Sequence, residues 1–273
     1  MIIVRLSGGL GNQIFQLAAG LLLADKSNIK KIFLDDSALG SYDVKRINEL
    51  LSFFDIDKLN VNISFERLYI LALRLPKILS FRFSKNIFVS DTNFDMVLEN
   101  PNHRLLILDG YFQKGLTQNS FNQEIEILKN ILIDTRMEYK NDCVVHIRGG
   151  DFVKLGWNSV TPSEYYIEAM QYMIKEHNIS HFSIVTDDKK YAEEVLPKLD
   201  FNYSYIGNSI KEDFYLIGAY NKRILSSSTF SFWASALGNN KDSIVIAPVY
   251  WFPNNKRKIF LQNEIITGVK ESL

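Results

Sequence analysis

The sequence predicts an α/β protein of two domains, each built on a parallel sheet. Three observations predict it. Short apolar runs alternate with longer helical patterns along nearly all of the 273 residues, which is the signature of βαβ units. The alternation breaks once, at the polar piece Asp134–Asp142, and then restarts. A Gly-rich turn follows the first apolar run of each half, at Ser7–Gln13 and at Gly149–Gly150. The expected domains are 1–138 and 139–273, with the final segment a candidate to pack back on the first domain. No internal repeat at a fixed period is evident.

In the first half, Ile2–Leu6 reads as a strand, Ser7–Gln13 as a turn, and Ile14–Ala24 as an apolar helix. A strand, Gly-rich turn and helix in this order present N–H groups where anions bind. The spacing is neither G-x-G-x-x-G nor a P-loop, because no Lys-Ser or Lys-Thr pair follows the glycines. The ordinary alternative is that the glycines only permit the turn. Lys31–Asp35 reads as a second strand, followed by a loop and a helix through Leu50–Phe54. The stretch Phe65–Phe88 sets Arg67, Arg74, Lys77, Arg82 and Lys85 among apolar residues. A basic amphipathic piece of this kind can lie on an anionic lipid surface. Pro76 interrupts its pattern, which favours a plain helix with one solvated face. Arg104–Gly110 then reads as a strand, followed by Tyr111-Phe112-Gln113 and a helix to about Leu132.

The second half opens with strand Cys143–Arg148. Thr161-Pro162-Ser163 starts a helix to about Glu176. Strand Phe182–Thr186 ends in Asp187-Asp188 and precedes a helix, Lys189–Leu196. Strand Tyr203–Ile206, helix Lys211–Tyr220 and strand Arg223–Leu225 follow. Ser226-Ser227-Ser228-Thr229 caps a helix carrying Phe230, Phe232 and Trp233, and Ser243–Ala247 is a last strand closed by Pro248.

Composition narrows the function. Apolar residues make up 47% of the chain, enough for substantial cores. The 31 basic and 31 acidic residues cancel, which argues against a nucleic-acid binder that works through a broad basic surface. The single Cys143 excludes an internal disulfide, as expected of a reducing compartment. His103, His146, His177 and His181 are scattered, so no metal site is expected. No signal peptide is expected at Met1–Arg5, and the apolar run Leu17–Ala24 is too short to span a bilayer. A cytoplasmic protein is the expectation, with peripheral contact to the inner membrane as an option.

Within Val144–Phe152, His146 and Arg148 stand two apart and so share one side of a strand. Gly149 and Gly150 then suit a tight turn that exposes N–H groups to a ligand, and an Arg there suits a phosphate. The ordinary alternative is a Gly-Gly-Asp bend with a salt-bridged Arg. Three further strand ends collect polar groups, at Asp187-Asp188, at Lys211–Asp213 and at Ser226–Ser231, and in a doubly wound sheet such ends converge. Ser228, Thr229, Phe230 and Ser231 supply hydroxyls and N–H groups at a helix start, which favours a diphosphate. Each group alone has a bland reading as a cap or a surface ion pair. Together they suggest a nucleotide-sugar site that works without metal.

The chain resembles the bacterial α-1,2-fucosyltransferases (glycosyltransferase family 11), which share motifs with protein O-fucosyltransferases. The matching pieces are Gly8–Gln16, Gly110–Gln113, His146–Phe152, Thr186–Asp188, and Asp213–Leu216 running to Phe230–Trp233. The resemblance implies a GT-B fold, two Rossmann-like domains facing each other across a cleft. It implies an acceptor-side first domain, a second domain holding GDP-β-L-fucose, and inverting transfer without metal or other cofactor. The acceptor implied is a galactose-type glycan of a surface polysaccharide such as O-antigen, with a lipid-linked form as an option.

Residue by residue, Arg148 matches the Arg that holds the donor phosphates, and His146 the His beside it. Asn12 matches the Asn that reaches the reaction centre in related enzymes. Asn12, His146 and Arg148 are therefore the catalytic candidates. Gly9, Gly11, Arg148, Gly150, Asp151, Asp187, Asp188, Ser228, Thr229, Phe230 and Ser231 are the donor-binding candidates. Asp35 and Asp36 are candidate bases, with a plain turn as the alternative. Gly149, Ser227 and Phe232 depart from the family pattern, leaving a colitose-type donor or a non-catalytic binding protein as rival readings.

Overall fold

A computed structural model describes residues 1–41, 46–59, 61–65, 88–103, 105–113, 117–133, 140–196, 201–207 and 209–267. The chain divides into two units, Met1–Asp134 and Thr135–Leu273. The basic stretch read as a candidate lipid-binding piece, apart from its end residues Phe65 and Phe88, and the final residues 268–273 lie outside the described residues.

In the first unit the described elements run β1 (Ile2–Arg5), α1 (Leu10–Lys26), β2 (Lys31–Asp35), α2 (Leu50–Phe53), β3 (Asn62–Phe65), β4 (Phe88–Val89), α3 (Phe94–Glu99), β5 (Leu106–Leu108) and α4 (Gln118–Ile131). Their sheet has the order β3-β2-β1-β5-β4, and every pair is parallel. The chain leaves β1 toward β2 and comes back on its other side as β5, so β1 ends at a switch point of the sheet. Ligands of open α/β sheets sit there. Strands of this kind are covered on both faces, which is why β1 reads as an unbroken apolar run.

Helix α1 is a departure from expectation. It starts at Leu10, not Ile14, so Gly11, Asn12 and Gln13 form its first turn and not a loop. Fourteen of its seventeen residues are buried, which explains why it is apolar all round and not amphipathic. Strands β3 and β4 and helix α3 were not expected at all. Each is too short to set up a period against its neighbours.

The second unit runs β6 (Lys140–Ile147), α5 (Asp151–Lys154), α6 (Ser163–His177), β7 (Phe182–Thr186), α7 (Lys189–Val195), β8 (Tyr203–Tyr205), α8 (Ile210–Ala219), β9 (Tyr220–Ile224), α9 (Thr229–Leu237), β10 (Ile244–Pro248), β11 (Tyr250–Phe252), β12 (Asn255–Lys256) and β13 (Glu264–Thr267). The sheet order is β13-β10-β9-β6-β7-β8, again all parallel. Strands β11 and β12 form a separate antiparallel pair. Strand β6 begins within the polar piece read as a linker, because Lys140 pairs with Tyr220 by backbone alone. Tyr220 in turn belongs to β9 and not to the preceding helix. The switch point lies between β6 and β9.

One buried cation ties this sheet to its helices. Arg223 of β9 is fully buried. It donates to the carbonyls of Ile217 (3.0 Å) and Gly218 (2.8 Å) at the end of α8, and to Gly238 (2.7 Å) and Ser235 (3.3 Å) at the end of α9. A cation at two helix C-termini satisfies orphan carbonyls and meets both dipoles favourably.

Candidate active site

The parallel register that pairs Val145 with Ile224 brings the ends of β6 and β9 side by side. His146 and Ser226 meet there, Nδ1 to Oγ at 2.7 Å. His146 is buried and its ring lies 6.0 Å from that of Phe230 at the start of α9. Burial, with the nearby Arg148 charge second, pushes its pKa down to about 3. The imidazole is therefore neutral at physiological pH, with its Nδ1 engaged to Ser226.

One residue past β6, the Arg148 guanidinium is forked between two carboxylates. Nη2 meets Asp151 Oδ1 at 2.5 Å and Nη1 meets Asp187 Oδ2 at 2.6 Å. Its side chain is 23% exposed, and its Cζ lies 5.4 Å from the centre of the Phe152 ring. The Gly-Gly turn is held by the same acids. Gly149 N–H donates to Asp187 Oδ1 (2.8 Å) and Gly150 N–H to Asp188 Oδ2 (3.2 Å). The expectation that these N–H groups face a ligand is thus corrected: the β7 end supplies internal carboxylates to them. Gly150 has φ +53, in the left-handed region that suits glycine. A Cβ on Gly149 would come within 2.5 Å of Asp188 Cβ, so the departure at Gly149 is what lets Asp188 sit against the turn.

Asp188 also caps α7 by accepting from Tyr191 N–H at 3.1 Å. These two bonds hold its carboxyl below the ordinary carboxylate range. It is spent on structure, the bland reading of an acid pair. At the start of α9, Ser228 makes no side-chain capping bond, contrary to the expected serine cap. Ser231 instead donates to Ser228 O at 3.2 Å, and Thr229 and Phe230 are half-exposed. The two other departures are buried. Ser227 Oγ has the carbonyls of Tyr250 (2.9 Å) and Trp251 as acceptors for its single proton. Phe232 packs edge-on against Trp251 with Arg257 over its ring. They tie α9 to the β11–β12 ribbon.

Sequence reasoning put Asp213 among the converging polar ends but not among the donor-binding candidates. It lies in the first turn of α8 beneath Gly207, where a Cβ would collide with its carboxylate. Partial burial, then the charges of Glu212 and Asp187, pushes its pKa up to about 6. The clue available in the sequence is that Asp213 heads one of the recurring motif pieces.

In the first unit the site candidates form a network of neutral amides. Gly8 has φ +75, and Gly9 is the N-cap of α1. Gly11 is buried in the first turn. Asn12 Oδ1 accepts from Gln113 Nε2 at 3.0 Å. Gln13 Nε2 donates to Gly8 O (3.1 Å) and Ile47 O (2.9 Å). Gln16 Nε2 donates to Ser7 Oγ (2.7 Å) and Gly110 O (3.0 Å). Asp35 is buried, with Oδ1 accepting from Ser37 N–H at 3.0 Å; Asp36 is half-exposed. Among the described residues no group of three His, Cys, Asp or Glu side chains is placed to hold a metal ion. Among the same residues no helix is long and apolar enough to cross a membrane.

Comparison with known proteins fits this arrangement. The family model for glycosyl transferase family 11 matches residues 1–266. The chain belongs to glycosyl transferase family 11. It is accordingly a glycosyltransferase, similar to α-1,2-fucosyltransferases. It is 29% identical to the O-antigen biosynthesis glycosyltransferase WbnK of Escherichia coli, over 95% of this chain and 98% of that protein. It is 28% identical to an α-1,2-colitosyltransferase of the same organism, over 95% of each. Among solved structures, the fucosyltransferase NodZ from Bradyrhizobium is similar in fold, with a TM-score of 0.53 at 15% identity, over 85% of this chain and 91% of NodZ. The fold class is α/β with two Rossmann-like units of the GT-B kind, as the sequence implies.

Proposed function

We propose that the protein transfers L-fucose from GDP-β-L-fucose to the 2-hydroxyl of a galactose-type acceptor in O-antigen synthesis, with inversion and without metal. Unit two holds the donor and unit one the acceptor, with Asn12 reaching the reaction centre. The acceptor oxygen attacks the anomeric carbon, the bond to the β-phosphate oxygen breaks, and GDP leaves with the electron pair. The acceptor hydroxyl gives up its proton to a base, for which Asp35 and Asp36 are the candidates.

The observation that carries this reading is the Arg148 fork at the switch point. A guanidinium has five N–H donors, and Asp151, with a side chain 38% exposed, is the partner that a diphosphate can replace. Stabilising charge that develops on the leaving diphosphate then lowers the barrier. The start of α9, where the Ser228 side chain makes no capping bond, is a second anion-favouring group in the same unit. A structure of NodZ α-1,6-fucosyltransferase co-crystallised with GDP, with a TM-score of 0.54, supports GDP as the nucleotide. The colitosyltransferase relative favours a second reading, in which the donor sugar is another 6-deoxy sugar such as colitose.

A panel of GDP- and UDP-sugars with lactose as acceptor, read out as nucleotide release, tests both. Release from GDP-fucose or GDP-colitose above the acceptor-free blank is expected, and the larger rate selects the donor. Release confined to UDP-sugars would overturn the proposal. A lipid-linked acceptor would explain the basic residues Arg67 to Lys85; liposome co-sedimentation that survives reversal of those charges would count against membrane contact.

A further inference from the structure

Two sequence pieces about a hundred residues apart form one device in the first unit. Asn12 and Gln16 are four residues apart on α1 and so lie on the same face of the helix. Each holds one end of the strap Gly110–Gln113. Gln16 Nε2 donates to Gly110 O at 3.0 Å, and Asn12 Oδ1 accepts from Gln113 Nε2 at 3.0 Å. The strap is fixed between these ends. Tyr111 N–H donates to Asp91 Oδ2 at 2.9 Å. Phe112 is fully buried, with its ring 5.3 Å from that of Phe94. Its φ of +57 is in the left-handed region, which a bulky residue adopts only when its surroundings impose it. That kink turns Gln113 back onto Asn12. On the other side, a Cβ on Gly8 would collide with Asn12 Nδ2, so the glycine leaves the space in which the amide nitrogen lies.

An Asn side chain can present either a carbonyl or an N–H₂ to a ligand, because its two ends have nearly the same shape. We propose that Gln113 is a positioning residue that occupies the Asn12 carbonyl oxygen, so that Asn12 acts on its ligand through its N–H₂. A donor there suits an oxygen that gains negative charge during transfer; the reversed amide would repel it. This rests on the role of Asn12 in the proposed function. The residue types fit. The Gln113 amide offers the donor that this orientation of Asn12 uses, and a carboxylate of the same size can only accept.

The test is a set of four variants assayed by GDP release with the donor that the panel selects: Asn12→Ala, Gln113→Leu, Gln113→Glu, and the double variant Asn12→Ala with Gln113→Leu. Gln113→Leu should lower kcat by roughly ten- to a hundredfold, the scale of a misplaced reacting group, with the donor KM little changed. Gln113→Glu, which keeps the packing, should match it at pH 8 and recover relative to wild type as the pH falls and the carboxyl gains its proton. The double variant should be no worse than Asn12→Ala. Losses that multiply in the double variant, or a Gln113→Glu ratio that does not change with pH, would overturn the assignment to Gln113. Wild-type kcat in both Gln113 variants beside an impaired Asn12→Ala would overturn it too and leave Asn12's role standing. Wild-type kcat in Asn12→Ala would instead remove that role, and the positioning of Asn12 with it. If Gln113→Leu does not fold, the Gln113→Glu pH series decides the matter by itself.

Discussion

The two units share a plan and differ in chemistry. In each, a central strand ends in a Gly-rich turn at the switch point of an all-parallel sheet. In the first unit the turn is lined chiefly by the neutral amides of Asn12, Gln13, Gln16 and Gln113, bonded to backbone and to each other, with the Arg46 guanidinium beside Gly9. In the second it is surrounded by charge, with Arg148 between Asp151 and Asp187 and the turn N–H groups on Asp187 and Asp188. Backbone geometry is therefore not what distinguishes the two sites. Amide groups suit hydroxyls, which both give and accept hydrogen bonds, and a forked cation suits a diphosphate. The difference supports the proposed division of labour between acceptor and donor.

The largest expected effect is on the charged turn. Arg148→Ala should lower kcat/KM by about a hundredfold or more, as expected for the loss of a group that stabilises the leaving anion. Thermal unfolding should change little, because the residue is partly exposed. A comparable loss of folding in place of activity would make Arg148 a structural ion pair and dissolve the contrast.

Next comes the buried cation of the same unit, Arg223. Arg223→Met should destabilise the second unit by about 3 kcal/mol or more, because several buried carbonyls lose a charged donor. Chemical denaturation should show this as a shift of the unfolding midpoint.

The first unit has its own misplaced charge in Glu124 on α4. It is buried, and neither carboxyl oxygen has a hydrogen-bond partner among the described residues. Burial, with the Asp25 charge second, holds its pKa well above the ordinary carboxylate range. The folded state therefore keeps the proton when the unfolded chain has lost it. The stability this group contributes is present below pH 4.5, the ordinary value, and is lost as the pH rises through the raised one. Glu124→Leu should stabilise the protein at pH 8 by about 1–3 kcal/mol and flatten the fall in stability above pH 4.5. In the second unit His146 acts in the opposite sense. With a folded pKa of about 3 against an ordinary 6.5, it costs stability as the pH falls below 6.5. Asp213, raised from 3.8 to about 6, offsets part of that slope between those two values.

The smallest expected effect is on donor binding. Asp213 gains a negative charge near Asp187 as the pH rises through about 6. The KM for the GDP-sugar should therefore rise a few-fold across that range, on the scale of a screened, partly exposed charge. Asp213→Asn should keep the low-pH value throughout. A pH-independent KM in the wild type would place Asp213 outside the donor site.

The strand ends of the second unit were legible because they concentrate residue types with few structural uses together, such as an Arg and two Asp beside glycines. The amide network was only half legible. Asn12, Gln16 and Gln113 all fall within the motif pieces, but only the strap closing on α1 shows that the two glutamines hold its ends. The elements that went unread, β3, β4, α3, α5 and the strands β11, β12 and β13 that follow the strand read as the last one, are too short to leave a period in the sequence.

What the sequence by itself determined is the alternation that makes two parallel-sheet units, the order of the motifs, and the family to which they belong. Those are local properties: hydrophobic period and glycine placement act within one element. Only the tertiary structure decided that the Gly149–Gly150 N–H groups meet carboxylates from β7, that His146 stays neutral, that Ser227 and Phe232 are structural, and that Gln113 holds Asn12. Each of these depends on desolvation or on a partner far away in the chain, and neither leaves a mark on the residues' immediate neighbours.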